Sequence, residues 1–192
     1  MASPPSPSHA LLFAAVSLSL FLYSPSPTKA AAAPPPSSPD LVENVCNTTQ
    51  VYDHEFCMKV LGSDPRTASA PDILAIAKIA LDLAVTNATN VRNYIDGRVK
   101  SNDVNSDALK TALEKCASCY EAVYFSFRSS LAELDVDAMT ANYDAKVAGD
   151  DVLDCENEMS SRGVSDPSMS AKSEVMMHFV RIGDAVTALL WP

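Results

Sequence analysis

The sequence predicts an all-α fold: an up-down-up-down four-helix bundle preceded by an N-terminal helical hairpin and tied by two disulfides. Three observations lead there. Of 13 prolines, eight fall within Met1–Pro36 and three more within Ser37–Pro71, and only 5 glycines are present, so the long middle is almost free of helix breakers. That middle carries apolar residues at spacings of three and four, the pattern of helices with one buried face. A sustained period-two run is absent, and the one Asp-Gly pair, Asp96-Gly97, sits near a predicted helix end rather than in a hairpin turn.

The 192 residues suit one domain behind a targeting segment. His9 to Tyr23 is a short apolar run followed by Ser-Pro-Ser-Pro-Thr-Lys and the small residues Ala30–Ala33, which reads as a secretory signal peptide over residues 1–33. The run is shorter than the roughly 20 residues a membrane span needs. Residues 34–40, with Pro34-Pro35-Pro36 and Pro39, read as an exposed leader of polyproline character. A helical hairpin is expected over 41–66 and the bundle over 71–190. Two acceptor triplets, Asn47-Thr48-Thr49 and Asn87-Ala88-Thr89, fit passage through the secretory route as N-glycosylation sites.

Five cysteines, Cys46, Cys57, Cys116, Cys119 and Cys155, all follow the expected cleavage point. In an oxidising compartment four of five pair and one is left over. Cys46 and Cys57 are close enough for a local staple across two short helices. Cys155 then joins Cys116 or Cys119, which are one helical turn apart, and spacing does not choose between them. Cys116-Ala-Ser-Cys119 has the spacer of a zinc or redox motif, but there is no second such pair and it falls mid-helix, so no metal is expected.

The first bundle helix is expected over Pro71–Val99, with Pro71 in its first turn and Ile73, Ile76, Ala77, Ala80, Ala84, Ala88, Val91 and Ile95 facing inward. The second, with Ser106 as cap, has the most regular stripe: Leu109, Leu113, Cys116, Tyr120, Val123, Phe127, Leu131 and Leu134. Cys116 lies on that stripe and Cys119 beside it, which leans towards Cys116 as the inward-tied residue. Asp137 caps a third helix whose inward positions read as Met139, Tyr143, Val147, Val152, Cys155 and Met159, with a kink expected near Gly149. The fourth runs over about Ser170–Leu190 with Val175, Phe179, Ile182, Val186 and Leu189 inward. Short connections make neighbours antiparallel.

A net charge of -10 with no basic cluster argues against nucleic acid as a partner. No phosphate loop, zincin motif or nucleophile elbow occurs, and His54 and His178 stand isolated, with His178 read as structural between Met177 and Phe179. Asp150, Asp151, Asp154, Glu156 and Glu158 lack calcium-loop spacing and read as a solvated helix face. No cofactor, no catalytic residue and no membrane contact of the mature form is therefore expected.

"LVENVCNTTQVYDHEFCMKVLGSDPRTAS", "ALKTALEKCASCYEAV" and "AGDDVLDCENEM" together resemble the plant family of invertase and pectin methylesterase inhibitors, from about Leu41 to Leu190. The resemblance implies the pairs Cys46–Cys57 and Cys116–Cys155, with Cys119 as a free thiol. It implies a secreted protein of the apoplast, or of the vacuole, that binds one-to-one over the substrate cleft of a plant cell-wall carbohydrate-modifying enzyme. Pectin methylesterase is the first expectation; acid invertase, or a non-inhibitory binding or reserve role on the same scaffold, are the alternatives. The esterase contacts of the family map onto Ser118, Ala122 and Phe125, with Glu121 beside them, and onto Asp154 and Asn157. The Pro-Lys-Phe contact of its invertase inhibitors maps onto Ala138, Met139 and Thr140, next to Asp137. The resemblance leaves open whether the hairpin folds onto its own bundle or swaps into a second copy.

Overall fold

The structure, a computed structural model, describes residues 37–101, 104 and 106–191; the predicted signal peptide lies outside these residues. Every regular element among them is helical: α1 Ser38–Cys46, α2 His54–Ser63, a 3-10 turn Thr67–Ser69, α3 Ile73–Lys100, α4 Asp107–Glu133, α5 Ala138–Ser161 and α6 Pro167–Ala188. α1 takes in Ser38, Pro39 and Asp40, which the sequence had suggested for the leader. Ser37 and Asp40 cap it reciprocally, and its prolyl nitrogen falls in the first turn, where no N–H is missed.

The bundle is a square. α3 packs on α4, α4 on α5, α5 on α6, and α6 returns to α3. The α4–α5 edge is therefore opposite the α3–α6 edge. α3 is long and apolar enough to cross a membrane by length and composition. Here its inward residues Ile76, Ala80, Ala84, Ala88, Val91 and Ile95 are buried against the other helices. Its start differs from expectation. Asp72 accepts from the Ala75 N–H at 2.8 Å, so the helix opens at Ile73 and Pro71 stays outside. Likewise Asp166 caps α6 at Pro167, ahead of the expected Ser170. Ser106 and Asp137 cap α4 and α5 as predicted, and Asp53 caps α2.

α5 departs most from the sequence reading. It has no break at Gly149. A Cβ there would lie 3.1 Å from Val180 Cγ1, so this glycine lets α6 approach closely instead of bending its own helix. The buried face is Ala141, Asn142, Ala145, Ala148, Gly149, Val152, Cys155 and Met159, mostly small residues. Met139 and Tyr143, expected inward, are 56% and 67% exposed. A face of alanines buries itself by bringing backbones together, and the larger side chains are turned outward.

The hairpin folds onto its own bundle. Leu41, Val42, Val45 and Leu61 are buried, and Ser38 Oγ donates to the Ala68 and Ala70 carbonyls at 3.1 and 3.3 Å. Phe56 stacks on His178 at 4.8 Å and meets Phe179 edge-on at 5.7 Å; Arg181 lies over Tyr52 at 4.9 Å. His178 thus serves packing between α2 and α6. Inside the bundle, Asn142 Nδ2 donates to the Asp184 carbonyl and carboxylate and to Thr187 Oγ1 at 2.9–3.0 Å. Tyr120 donates to Ser173 Oγ at 3.1 Å, and burial pushes its phenol up. These polar contacts fix the register of α6 against α4 and α5.

Candidate functional site

Cys46 is bonded to Cys57 and Cys116 to Cys155. The second bond joins α4 to α5 near one end. Near the other, Ser130 Oγ donates to the Ala141 carbonyl at 2.7 Å. Both contacts fit one antiparallel register, which sets Ser118 level with Leu153 and Phe125 level with Lys146. The outer surface of this helix pair is consequently stiff and carries all the contact positions the sequence had suggested.

They divide into two groups. At the disulfide end, Ser118 and Glu121 on α4 and Asp154 and Asn157 on α5 are exposed, while Ala122 is half-buried. Glu121 is already engaged: Arg92 of α3 reaches its Oε1 at 3.3 Å and covers the Tyr124 ring at 5.7 Å. Phe125 is 59% exposed, edge-on to Tyr124. At the far end, Ala138, Met139 and Thr140 form the first turn of α5. Asp137 Oδ1 accepts the Met139 and Thr140 N–H groups and Oδ2 accepts the Thr140 hydroxyl, which holds its carboxyl below the usual range. Asp137 shapes this turn and has little left to offer a partner. Met139 and Asp154 are fifteen residues apart on one helix, about 22 Å, so the two groups are not one cluster.

The sequence missed Val136 and misplaced Tyr143. Val136, 82% exposed, lies in the turn where α4 passes into α5; with Met139 and Tyr143 on α5 it makes an apolar prominence that runs from this turn to the edge of the groove between α5 and α6, which Tyr143 lines with Met177 and Arg181. The spacing of four between Met139 and Tyr143 was the available signal, but it serves an outward stripe as well as an inward one. Bare apolar side chains gathered at one end of a helix point to a binding surface.

The seam between α4 and α5 is acidic. Burial raises Asp151, and Asp154 and Asp150 raise it further against the opposing pull of Lys115. An acid whose folded pKa is raised destabilises the fold when ionised, and the penalty disappears as pH falls through that value to below 3.8. Asp151→Asn is accordingly expected to raise the melting temperature at neutral pH, with the difference closing as the solution is acidified; thermal scans across pH check it. Cys119 is buried in the same seam and its thiol is pushed up by that burial. Native protein should resist iodoacetamide, and unfolded, unreduced protein should take up one equivalent by mass.

Among the described residues no group of three His, Cys, Asp or Glu comes together to hold a metal. Asn47 is exposed just after α1, its Nδ2 donating to Glu43 Oε1 at 2.7 Å, whereas Asn87 is half-buried on α3.

The family described as plant invertase/pectin methylesterase inhibitor matches residues 40–186. The Arabidopsis thaliana cell wall / vacuolar inhibitor of fructosidase 2 is 36% identical over 98 residues, 51% of this chain and 52% of that protein, so the match spans about half the length of this relative. A Platanus orientalis protein named as an invertase inhibitor is 28% identical over 159 residues, 80% of this chain and 91% of its own. Among solved structures, a mutant form of an Arabidopsis pectin methylesterase inhibitor shares the fold with a TM-score of 0.66 at 19% identity, covering 80% of this chain and 97% of that one.

Proposed function

The chain belongs to the plant invertase/pectin methylesterase inhibitor family, and on that premise we propose that it inhibits an acid invertase-type fructosidase of the cell wall or vacuole by docking its outer α4–α5 face over the enzyme's substrate cleft. The family is one of enzyme inhibitors rather than enzymes, and the action here is steric. The observation that carries the choice of target is the apolar prominence of Val136, Met139 and Tyr143. Met139 is one of the three positions, Ala138 to Thr140, onto which the contact element of the family's invertase inhibitors maps, and Val136 and Tyr143 flank them. The relatives matched by sequence, named for fructosidase and invertase inhibition, point the same way.

The esterase reading, first on the sequence alone, stands second. Its support is the fold shared with an esterase inhibitor at 19% identity. The mapped α4 positions hold Ser118, Ala122 and Phe125, none of them acidic, and the neighbouring Glu121 is paired to Arg92. A helix pair cross-linked by Cys116–Cys155 loses little freedom on docking, so a modest patch suffices. The acidic seam favours a partner with a basic rim.

The test is a paired titration of the secreted protein against plant acid invertase and plant pectin methylesterase at mildly acidic pH. Dose-dependent loss of invertase activity alone is expected; loss of esterase activity alone overturns the choice of target, and no effect on either overturns inhibition of both. The double variant Met139→Asp, Tyr143→Asp changes only exposed side chains. It should raise the inhibition constant about 30-fold or more, the loss of roughly 2 kcal/mol expected when a hot-spot anchor is removed, with an unchanged melting curve.

A further inference from the structure

We propose that Asn87 carries an N-linked glycan whose first sugar is seated in the groove between α3 and α6. Asn87 opens the triplet Asn87-Ala88-Thr89 and lines an open groove of about 420 Å³ on the edge opposite the α4–α5 pair. Its Oδ1 is buried and has no hydrogen-bond partner among the described residues. An orphaned carbonyl costs stability until a donor reaches it. A sugar seated in the groove that Asn87 lines brings hydroxyl donors close to this carbonyl. The groove walls suit a sugar: Asn90, Ser168 and Lys172 present polar groups, and Ala171 and Val175 offer a low apolar surface to a ring face.

The reaction is a group transfer without redox change. Asn87 Nδ2 attacks C1 of the reducing-end N-acetylglucosamine of a lipid-pyrophosphate-linked oligosaccharide. The Nδ2–C1 bond forms and the C1–O bond to pyrophosphate breaks. The lipid pyrophosphate leaves with that electron pair, and one Nδ2 proton passes to a base of the transferase. The timing is set by Thr89, whose hydroxyl the sequon needs. In the folded helix it donates to the Val85 carbonyl at 2.9 Å, so transfer precedes the folding of α3. The sugar then lies behind the bundle and leaves the α4–α5 face bare, a consequence that rests on the docking reading, whereas the site itself does not.

The experiment expresses the full chain in plant cells, beside a second version in which a proven secretion leader replaces residues 1–33. Trypsin releases Ile79–Arg92, and its mass is read before and after peptide N-glycosidase A, which converts a glycosylated Asn87 to Asp. A glycopeptide is expected from both versions and is lost in Thr89→Ala. A glycopeptide from the leader version alone upholds the site and refutes the natural leader. Unmodified Ile79–Arg92 from the leader version overturns the proposal. Seating is read separately: the amidase should release the glycan at least tenfold more slowly from native than from unfolded protein, and equal rates overturn it. If Asn87→Gln protein inhibits the target as well as the glycosylated form does, the bare docking face stands; a change of tenfold or more refutes that consequence without touching the site.

Discussion

Replacing both Cys116 and Cys155 by alanine is expected to lower the unfolding free energy by about 4 kcal/mol. The bond closes a loop of 39 residues, and chain entropy of the unfolded state grows with that length. The Cys46–Cys57 bond, at a separation of 11, should contribute about 3 kcal/mol by the same reasoning. For a protein of this size the larger loss lowers the melting temperature by roughly 10 °C. The double variant is the right one, because a single replacement leaves two thiols, one of them Cys119, free to re-pair. A fall of less than about 1 kcal/mol in urea titration would mean that α4 and α5 hold each other without the bond. The docking face would then owe its stiffness to packing alone.

Phe127→Ala should cost about 3–5 kcal/mol. Phe127 is fully buried at the centre of the square. There α6 presents Gly183, and a Cβ on that residue would meet Leu81 of α3, Phe127 of α4 and Ala145 of α5 at 3.3–3.4 Å. All four helices converge on this point. The space vacated by the phenyl ring adjoins the glycine, so the two positions should be coupled. Gly183→Ala crowds the wild-type core, whereas in the Phe127→Ala background it should recover part of the loss, helped by the better helix propensity of alanine. Equal effects of Gly183→Ala in both backgrounds, measured by urea titration, would show that the bundle relaxes around each site independently.

How far the residues themselves revealed this molecule varies by element. α4 was legible because large apolar residues and polar ones alternate cleanly over its whole length, so a single phase of the helix period fits. α5 was not, because its buried face is built of Ala141, Ala145, Ala148 and Gly149, which carry little hydrophobic signal, while Met139 and Tyr143 carry a strong one and face out. Caps at Ser106 and Asp137 were readable ahead of apolar runs. Asp72 was hidden by Pro71 before it, which drew the reading of the helix start ahead of its cap, and α6 was read from about Ser170, past Asp166 and Pro167. The choice of Cys116 over Cys119 came from the resemblance with only slight support from periodicity, since both are buried one turn apart. The candidate site was legible as positions along a chain and not as a surface. That its two groups stand about 22 Å apart depends on α5 being one unbroken rod.

The way the helices begin has a consequence in acid. α2, α3, α5 and α6 each start on an aspartate whose side chain accepts first-turn N–H groups, and α1 leans on Asp40. Asp40 and Asp137 are held below the ordinary aspartate value of 3.8 by these bonds, so what they contribute is complete above that value and drains away as pH falls through the lowered one. A carboxyl that takes up a proton is a poorer acceptor and no longer complements the positive end of a helix. These two anchors therefore loosen together in acid, one at the head of the hairpin and one at the head of α5. Strong acid would fray the molecule from these two openings, and the second of them is the turn that holds Met139 in place.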